Sequence, residues 1–352
     1  MIRKLIELSR CNASAFLFLA VAIVTAGLHA CSEPPPGDTL RLTGATMGTR
    51  YNITWLDAEG QPAPEAIHSG VEEVLKRING SMSTWREDAL ITRLNSAPAG
   101  EWMTVDEEFA AVFAMAREVS EATGGAYDVT VGPLVDLWGF GPRMGDEVPS
   151  DEAIAESMSR VGQAQIEFDE AVPALRKPAD MSLDFSSIAK GFGVDQIAAY
   201  LETQGIDRYL VEIGGEIRVK GMSPRGDFWR IAIEKPVAGP RDVQRAVTLI
   251  DTAIATSGDY RNYFEADGVR YSHTIDPRTG APVRHELVSV TVVHPSAAMA
   301  DAWATALTVL GPEQALFTAL QQQLAVYLIS RDGDAFKAQS TPEMDQLLVS
   351  IE

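Results

Sequence analysis

The stretch of chain from Thr256 to Gly280 concentrates residue types that do chemistry between two apolar runs. Asp267 and Gly268 are a typical two-residue turn, so Tyr260 to Ala266 and Val269 to Ile275 are predicted to pair as antiparallel strands. That pairing would bring together the polar residues that flank the two strands. These polar residues are Asp259, Arg261, Asn262, His273, Asp276 and Arg278. They form either a functional site or the solvated charges of an ordinary exposed hairpin.

The segment from Ala297 to Leu310 is predicted to be a helix that is buried on nearly every face, because almost all of its residues are apolar. An ionised Asp301 in such a helix needs a cation or another partner. Thr305 lies four residues later and therefore projects from the same face. Two hard oxygen ligands, with positions left for phosphate and water, suit Mg²⁺ better than Zn²⁺. The alternative is a carboxylate that hydrogen-bonds to a neighbouring backbone group.

Two glycine patterns that would indicate a nucleotide-binding fold fail in this chain. Gly191 and Gly193 are separated by one residue, but Gln196 stands where the third glycine of a dinucleotide loop belongs. The sequence contains no GxxxxGK[ST] pattern either, which excludes a P-loop. The residues before Gly191, from Met181 to Phe185, are predicted to form a short apolar strand. Asp184 interrupts it, and an acid there needs a partner or a position at the end of the strand.

The pattern of the whole chain predicts an α+β fold with mixed, largely antiparallel sheets and packed helices. Thr43 to Leu56 alternates as a strand does and is followed by an amphipathic helix that ends at Gly80. Tyr209 to Ile213 and Glu216 to Lys220 are joined by two glycines, which predicts a hairpin. The run from Gly125 to Gly141 has neither a helical nor a strand period. Such segments line clefts or serve as buried connecting loops.

The first thirty residues have the composition of a secretory signal peptide. Basic residues precede an apolar run from Ala13 to Leu28 that is too short and too abruptly ended for a membrane span. Leu28-His29-Ala30-Cys31 is similar to the lipobox of bacterial lipoproteins, in which the cysteine becomes the lipidated first residue, although His29 departs from the usual small residue. Plain secretion with a free Cys31 thiol is the alternative. Ser32 is typical of sorting to the outer membrane, and the inner membrane stays open.

These features define the predicted organisation of the chain. Residues 1–30 are the signal peptide, residues 31–40 a tether and residues 41–352 one folded domain on the periplasmic side of a bacterial membrane. A net charge of −20 argues against binding to nucleic acid or adhesion to anionic lipid. A phosphate-bearing ligand would therefore need local help from a cation. The cysteines are Cys11 and Cys31, so the mature domain has neither a disulfide nor a thiolate metal site.

Eight short motifs follow one another along the chain, and their combination is far more specific than any one of them. They are Met47-Gly48-Thr49, Met82-Ser83-Thr84-Trp85-Arg86, Gly125 to Leu134, Asp184 to Gly191, Val211 to Glu216, Thr256 to Tyr260, His273 to Pro277 and Ala300 to Thr305. Together they strongly resemble the ApbE family of periplasmic FAD:protein FMN transferases. The resemblance runs from about Thr43 to Gly311 and implies the fold of that family. The visible departure is Ser186-Ser187, where many members have two glycines.

The resemblance implies transfer of the FMN half of FAD to a threonine hydroxyl of a partner protein, with release of AMP. The partners would be threonine-bearing domains of membrane redox flavoproteins. Mg²⁺ would be held by Asp301, Thr305 and the main-chain oxygen of Ser187, and it would polarise the attacked phosphorus. His273 is the candidate base, because a threonine hydroxyl is a poor nucleophile and the ordinary pKa of an imidazole lies near neutrality. Asp276 would orient His273 or contact the metal.

The FAD contacts of the family fall on a set of residues spread through the motifs. They are Met47, Trp85, Ala126, Tyr127, Asp128, Asp184, Lys190 and Ile275. Trp85 and Tyr127 would stack on ring systems, and Lys190 would meet a phosphate or a polar group of the adenosine. Two other functions stay open. One is hydrolysis of FAD to FMN and AMP at the same metal site, and the other is a lipid-anchored protein that carries FAD without chemistry.

Overall fold

The computed structural model describes residues 38–141, 145, 147–237, 242–258, 263–266, 268–333 and 335–350. A compact unit begins at Asp38, and its first strand begins at Thr39, within the predicted tether of residues 31–40. The predicted signal peptide and Cys31 lie outside the described residues. None of the helices in the described ranges is both long enough and apolar enough to span a membrane.

Helices and strands are interspersed along the chain. The strands are β1 (Thr39–Thr46), β2 (Thr49–Leu56), β3 (Trp102–Thr104), β4 (Glu167–Asp169), β5 (Ala174–Arg176), β6 (Tyr209–Ile213), β7 (Glu216–Lys220), β8 (Trp229–Glu234), β9 (Val243–Leu249), β10 (Thr252–Gly258), β11 (Tyr263–Ala266), β12 (Val269–Ser272), β13 (Ile275–Asp276), β14 (Ala281–Pro282), β15 (Leu287–His294), β16 (Ala325–Asp332), β17 (Ala335–Ser340) and β18 (Leu348–Val349). The helices are α1 (Pro64–Met82), α2 (Leu90–Ser96), α3 (Glu107–Ala122), α4 (Gly132–Leu137), α5 (Asp151–Met158), α6 (Ala189–Thr203), α7 (Ala297–Leu310), α8 (Pro312–Gln321) and α9 (Pro342–Asp345).

An eight-stranded sheet forms the centre of the fold, with the strand order β1-β2-β6-β7-β10-β15-β16-β17. Each pair of neighbours in it is antiparallel. The predicted α+β class with largely antiparallel sheets is therefore confirmed. The predicted hairpin between Tyr209 and Lys220 is also confirmed, because it consists of the paired strands β6 and β7.

Both faces of this sheet are covered. Val290 and Val292 of β15 belong to the main hydrophobic core, which also contains most of the buried apolar residues of α1, α6 and α7. Val288 and Val293 of the same strand pack in a second cluster with Trp229 of the small sheet β18-β9-β8. Strand β15 is therefore buried on both faces, from Leu287 to Val293, and its two polar residues Ser289 and Thr291 are buried as well.

Three predicted elements differ from those observed. The strand predicted from Thr43 to Leu56 is part of the hairpin β1–β2, whose turn at Met47 and Gly48 has positive φ at both residues (48° and 72°). The alternation of apolar and polar residues continues across such a tight turn, so the sequence pattern did not reveal that two strands are present. The strand predicted from Met181 to Phe185 is an irregular segment. The run from Gly125 to Gly141, predicted to lack a helical period, contains the short helix α4.

Helices α6 and α7 pack with their main chains in contact. A Cβ atom placed on Gly191 of α6 would lie only 2.2 Å from the carbonyl oxygen of Ala297. The carboxylate of Asp195, also on α6, accepts hydrogen bonds at 3.0 Å from the main-chain nitrogens of Ala297 and Ala298. It therefore binds N–H groups at the start of α7 that have no partner within that helix. This contact sets the position of α7 relative to α6.

Gly191→Ala is expected to lower the free energy of unfolding by about 1–3 kcal/mol, because the new methyl group would overlap the main chain at Ala297. Gly80→Ala is the matched control. Gly80 lies in α1, and a Cβ atom there would meet no atom within 4 Å, so the same change should raise stability by up to about 1 kcal/mol. Urea unfolding curves measure both effects. Equal stabilities of the two variants would contradict the close contact between α6 and α7.

Candidate functional site

A cluster of charged side chains lies where α6, α7 and β7 meet. The Lys190 ammonium nitrogen is 3.4 Å from Asp301 Oδ2 and 3.5 Å from Glu216 Oε1. Both carboxylates are buried, with 5% and 4% of their residue surface exposed. The main-chain nitrogen of Gly191 also donates to Asp301 Oδ2 at 3.2 Å. Asp301 thus has both kinds of partner that the sequence suggested, a cation and a backbone group.

The pKa values of Glu216 and Lys190 are both raised in this cluster, but for different reasons. Burial raises the pKa of the Glu216 carboxyl to about 7, although the Lys190 ammonium favours its ionised form. Burial disfavours the Lys190 ammonium, but the charges of Asp301 and Glu216 outweigh that effect and raise the pKa of Lys190. Lys190 is therefore a fixed cation at neutral pH. Glu216 Oε2 is buried and has no hydrogen-bond partner within the described part of the chain.

Tyr127 and Ser187 lie beside this cluster. Ser187 Oγ donates to Tyr127 Oη at 2.9 Å, and Tyr127 and its neighbour Ala126 are buried. Burial raises the pKa of the Tyr127 phenol, the hydrogen bond with Ser187 opposes that effect, and nearby carboxylates raise the pKa further. These carboxylates are Asp301, Asp184 and Asp128. The fold therefore brings predicted metal ligands and predicted FAD contacts into one region.

Asp128 and Asp184 both accept hydrogen bonds from main-chain N–H groups. Asp128 Oδ1 accepts from the main-chain nitrogen of Thr130 at 2.7 Å, and Asp128 Oδ2 accepts from the main-chain nitrogen of Gln163 at 2.9 Å. Burial raises the pKa of Asp128, and these hydrogen bonds oppose that effect. Asp184 Oδ1 accepts from the main-chain nitrogen of Ser186 at 2.8 Å. Both carboxylates thus shape the loops that carry the neighbouring site residues.

A cleft of about 800 Å³ opens beside the turn between β1 and β2. Met47 of that turn and Trp85 both line it. Trp85 is 75% exposed, so its ring can accept a flat ligand on its surface. A Cβ atom on Gly193 would lie 3.2 Å from Met47 Cε, which places the Met47 side chain against α6. The cleft therefore lies next to the helix that carries Lys190.

The predicted central hairpin is present as the antiparallel pair β11–β12, with Ala266 opposite Val269. The second strand ends at Ser272, and Ile275 pairs instead with Pro282 of β14. His273 follows β12 directly, and its ring centroid lies 6.3 Å from that of Phe140 in an edge-on arrangement. The predicted site residues Asp259, Arg261 and Asn262 lie outside the described residues.

A run of aromatic rings attaches this hairpin to the region of α4. The ring centroids of Phe140 and Phe264 are 5.4 Å apart, those of Phe264 and Tyr271 are 5.0 Å apart, and those of Tyr271 and Trp138 are 5.5 Å apart. The indole nitrogen of Trp138 also donates to the carbonyl oxygen of Gly280 at 2.8 Å. These contacts position the segment that carries His273.

Asp276 and Ile275 follow His273 within the same segment. The carboxylate of Asp276 forms a bidentate pair with Arg278, with distances of 2.9 Å to Nε and 2.8 Å to Nη2. Ile275 is buried and packs in a cluster with Leu134 and Trp138. These contacts stabilise the turn after β13. A role of Asp276 in orienting His273 or in contacting a metal stays a prediction.

The predicted metal site relies on oxygen atoms of different kinds. No group of three or more His, Cys, Asp or Glu side chains that could hold a metal ion occurs in the ranges that the structure describes. The predicted ligands instead comprise one carboxylate, one hydroxyl and one main-chain oxygen, from Asp301, Thr305 and Ser187. Asp301 and Thr305 lie one turn apart in α7, and Thr305 is partly buried. Hard oxygen donors beside a second buried carboxylate, Glu216, fit Mg²⁺ chemically.

Sequence reasoning missed Glu216 as a site residue, although it ends one of the eight motifs. A signal was available, because Glu216 directly follows Gly214 and Gly215 and begins a strand that was predicted to lie in a hairpin of the sheet. It also missed Gln163, whose main-chain nitrogen binds Asp128 and whose side chain accepts from the main-chain nitrogen of Val129 at 2.8 Å. No local pattern marks that residue.

The chain is similar to proteins of one family over most of its length. The model of the ApbE family matches residues 47–328. A Vibrio cholerae protein named FAD:protein FMN transferase is 43% identical over 320 residues, which cover 91% of this chain and 94% of that protein. The Escherichia coli K12 protein of the same name is 38% identical over 347 residues, which cover 95% of this chain and 98% of that protein.

Solved structures lead to the same family. The flavin transferase ApbE from Vibrio cholerae superposes with a TM-score of 0.83 at 41% identity, covering 89% of this chain and 100% of that chain. The apo form of the Pseudomonas stutzeri flavinyl transferase ApbE superposes with a TM-score of 0.82 at 40% identity, covering 89% of this chain and 97% of that chain. At these identities the likeness extends beyond the general fold.

Asp128→Ala is expected to lower the free energy of unfolding by about 1–3 kcal/mol, because the main-chain N–H groups of Thr130 and Gln163 would lose their acceptor in a buried place. Asp88→Ala is the control. Asp88 pairs with Arg86 on the surface and its side chain is 73% exposed, so its loss should change stability by less than about 0.5 kcal/mol. Thermal or urea unfolding measures both. An unchanged stability for Asp128→Ala would show that these hydrogen bonds do not hold the loop.

Proposed function

This chain belongs to the ApbE family, and we propose that it transfers the FMN part of FAD to a side chain of a partner protein and releases AMP. The observation that carries the proposal is the 43% identity, over 91% of the chain, to a Vibrio cholerae protein named FAD:protein FMN transferase. The charged cluster around Lys190 supports it, because an acidic protein needs a local cation to bind a diphosphate. The open cleft beside Trp85 supports it too, because FAD carries two flat ring systems.

We assign Mg²⁺ as the metal, held by Asp301, Thr305 and the main-chain oxygen of Ser187. When bound, Mg²⁺ would neutralise charge on the diphosphate and make the attacked phosphorus more electrophilic. Lys190 supplies a second positive charge that the protein keeps at neutral pH, since the charges of its two carboxylate partners raise its pKa. Trp85 takes a ring system of FAD on its exposed face, and Met47 bounds the same cleft.

The acceptor is a threonine hydroxyl, and His273 takes its proton. The hydroxyl oxygen then forms a bond with the flavin-side phosphorus of FAD. The bond between that phosphorus and the bridging oxygen breaks, and the bridging oxygen leaves as part of AMP. A base is required because a neutral hydroxyl is a poor nucleophile. The position of His273 directly after the hairpin β11–β12 suits this role, since the aromatic run from Phe140 to Trp138 fixes that segment to the rest of the domain.

The partner proteins are threonine-bearing domains of membrane redox flavoproteins, and we place the enzyme beside them on the periplasmic side of a bacterial membrane. The support is the sequence of residues 1–30 and the lipobox-like Leu28-His29-Ala30-Cys31. Lipid attached at Cys31 would anchor the domain through the residues before β1. Incorporation of a labelled fatty acid at Cys31 in cells is the measurement that checks this anchor.

The proposed activity is tested with the purified chain, FAD, Mg²⁺ and a domain of a membrane redox flavoprotein whose threonine carries FMN. Flavin fluorescence that stays on the partner band after denaturing electrophoresis is the expected result. EDTA should abolish it, and a partner with that threonine changed to alanine should stay unlabelled. AMP and free FMN without a labelled partner would show a hydrolase instead, and intact FAD would show a carrier.

His273→Ala is expected to lower the rate of FMN transfer by at least about 100-fold, because general-base catalysis contributes that much or more. The dissociation constant for FAD should change by less than about threefold, since the lost group acts on the acceptor. His68→Ala is the matched control, because His68 is a half-exposed histidine on α1 that pairs with Glu72. Transfer rates come from the in-gel assay and affinities from flavin fluorescence. Normal transfer by His273→Ala would exclude His273 as the base.

A further inference from the structure

Glu216 has no part in the transfer as described, yet its carboxyl group is buried inside the charged cluster. It begins β7 directly after Gly214 and Gly215 and is 4% exposed. Oε1 lies 3.5 Å from the Lys190 ammonium, whereas Oε2 is buried and makes no hydrogen bond with the described residues. A buried charge of this kind costs free energy unless its surroundings compensate it. Its presence in the cluster therefore calls for an explanation.

The neighbouring Glu212 shows that the same turn can satisfy a carboxylate completely. Glu212 lies in β6, one residue before its end, on the other side of the two glycines. Its carboxylate accepts from Asn52 Nδ2 and from the main-chain nitrogen of Gly215. Glu216 faces the cluster instead and keeps one oxygen without such a contact. The difference lies in which side of the hairpin each residue occupies.

The cluster must change when a divalent cation binds at Asp301. Lys190 is now shared between Asp301 at 3.4 Å and Glu216 at 3.5 Å. A dication on the Asp301 carboxylate would repel the ammonium, because two positive charges would compete for one carboxylate in a poorly solvated place. Lys190 would then leave Asp301, and Glu216 is the other carboxylate within its reach.

We propose that Glu216 is a positioning residue that keeps the Lys190 ammonium in the site when a divalent cation occupies Asp301. The inference rests on the proposed function in one respect, which is the assignment of a diphosphate as the ligand of Lys190. An ammonium has three N–H donors. In the cluster, the Lys190 ammonium donates to the Asp301 carboxylate and to the carbonyl oxygen of Ser186. The unused Oε2 of Glu216 supplies the acceptor that replaces Asp301.

The charges of the cluster agree with this role. Asp301, Glu216 and Lys190 together carry a charge of about −1 when all are ionised, and a bound dication changes this to about +1. The cluster then attracts the two negative charges of a diphosphate. Without Glu216 the cation and the ammonium would face each other uncompensated, and Lys190 would turn out of the site. Glu216 thus makes the metal and the lysine act on the same ligand.

The first test is a double-mutant cycle on metal binding, which needs no FAD. Mn²⁺ is the probe, because the EPR signal of the free ion is lost when it binds and because it prefers the same hard oxygen ligands as Mg²⁺. Glu216→Gln should weaken Mn²⁺ binding about tenfold in the otherwise unchanged chain, since Lys190 would have to leave Asp301 without a second carboxylate to receive it. In the Lys190→Ala chain the same change should weaken binding by less than about threefold. Equal losses in the two backgrounds would overturn the proposal.

The second test is binding of FAD, followed by the initial change in flavin fluorescence. Glu216→Gln should raise the dissociation constant about tenfold with Mg²⁺ present and by less than about twofold in EDTA, where Asp301 still holds Lys190. Glu212→Gln, the matched control in the same hairpin, should change neither value by more than about twofold. If Glu216 acted only through its negative charge, its loss would tighten the binding of FAD under both conditions. That result, or an equal loss under both, would contradict the positioning role.

Two further outcomes separate this inference from the proposed function. If the unchanged chain binds no FAD, the proposed function fails, and the Mn²⁺ cycle still decides the role of Glu216. If Glu216→Gln does not fold, Glu216→Asp takes its place. That variant keeps the charge but withdraws it from Lys190 by one methylene, so it should weaken FAD binding by about threefold or more only when Mg²⁺ is present. If Glu216→Asp bound FAD as tightly as the unchanged chain with Mg²⁺ present, the proposal would be overturned.

Discussion

The buried charge of Asp301 is the interaction on which the rest of the site depends. A carboxylate inside a helix that is apolar on nearly every face is stable only with close compensation. That compensation comes from Lys190 on α6, and its ammonium reaches Asp301 because α6 and α7 pack with their main chains in contact at Gly191. Asp195 reinforces the contact by binding the first N–H groups of α7. The close packing of α6 against α7 is therefore needed for the charge of Asp301 to be compensated.

The parts of the site come from segments that are far apart in the chain but adjacent in the fold. The central position of β7 in the sheet, next to β10, places Glu216 beneath α6 and α7. The cleft at Met47 and Trp85 lies next to the start of α6, whereas His273 directly follows the separate two-stranded hairpin β11–β12. This division matches the proposed reaction, in which the cleft takes FAD and His273 acts on the acceptor protein.

Local sequence patterns predicted the elements whose structure depends on local forces. The helix from Ala297 to Leu310 and the hairpin β6–β7 were predictable, because apolar periodicity and the two glycines specify them directly. The irregular segment from Met181 to Phe185 was not, because its main chain bonds to distant groups. Leu183 donates to the side chain of Asn95 at 2.8 Å, and such a partner leaves no mark in the local pattern.

The same distinction applies to the site. Asp301 could be recognised from the sequence as a residue that needs a partner, because an ionisable side chain is unusual in an otherwise apolar helix. The pairing of Lys190 with Glu216 could not be recognised in advance, because it depends on the order of strands in the sheet. The break at Met47 also escaped prediction, since a turn with positive φ at a methionine is uncommon and the alternation of β1 continues into β2.

The hairpin β11–β12 forms its own two-stranded sheet, and ring contacts with Trp138 and Phe140 attach it to the domain. Because no strand of the eight-stranded sheet pairs with this hairpin in the described part of the chain, substitutions in the hairpin leave the hydrogen-bond register of the central strands in place.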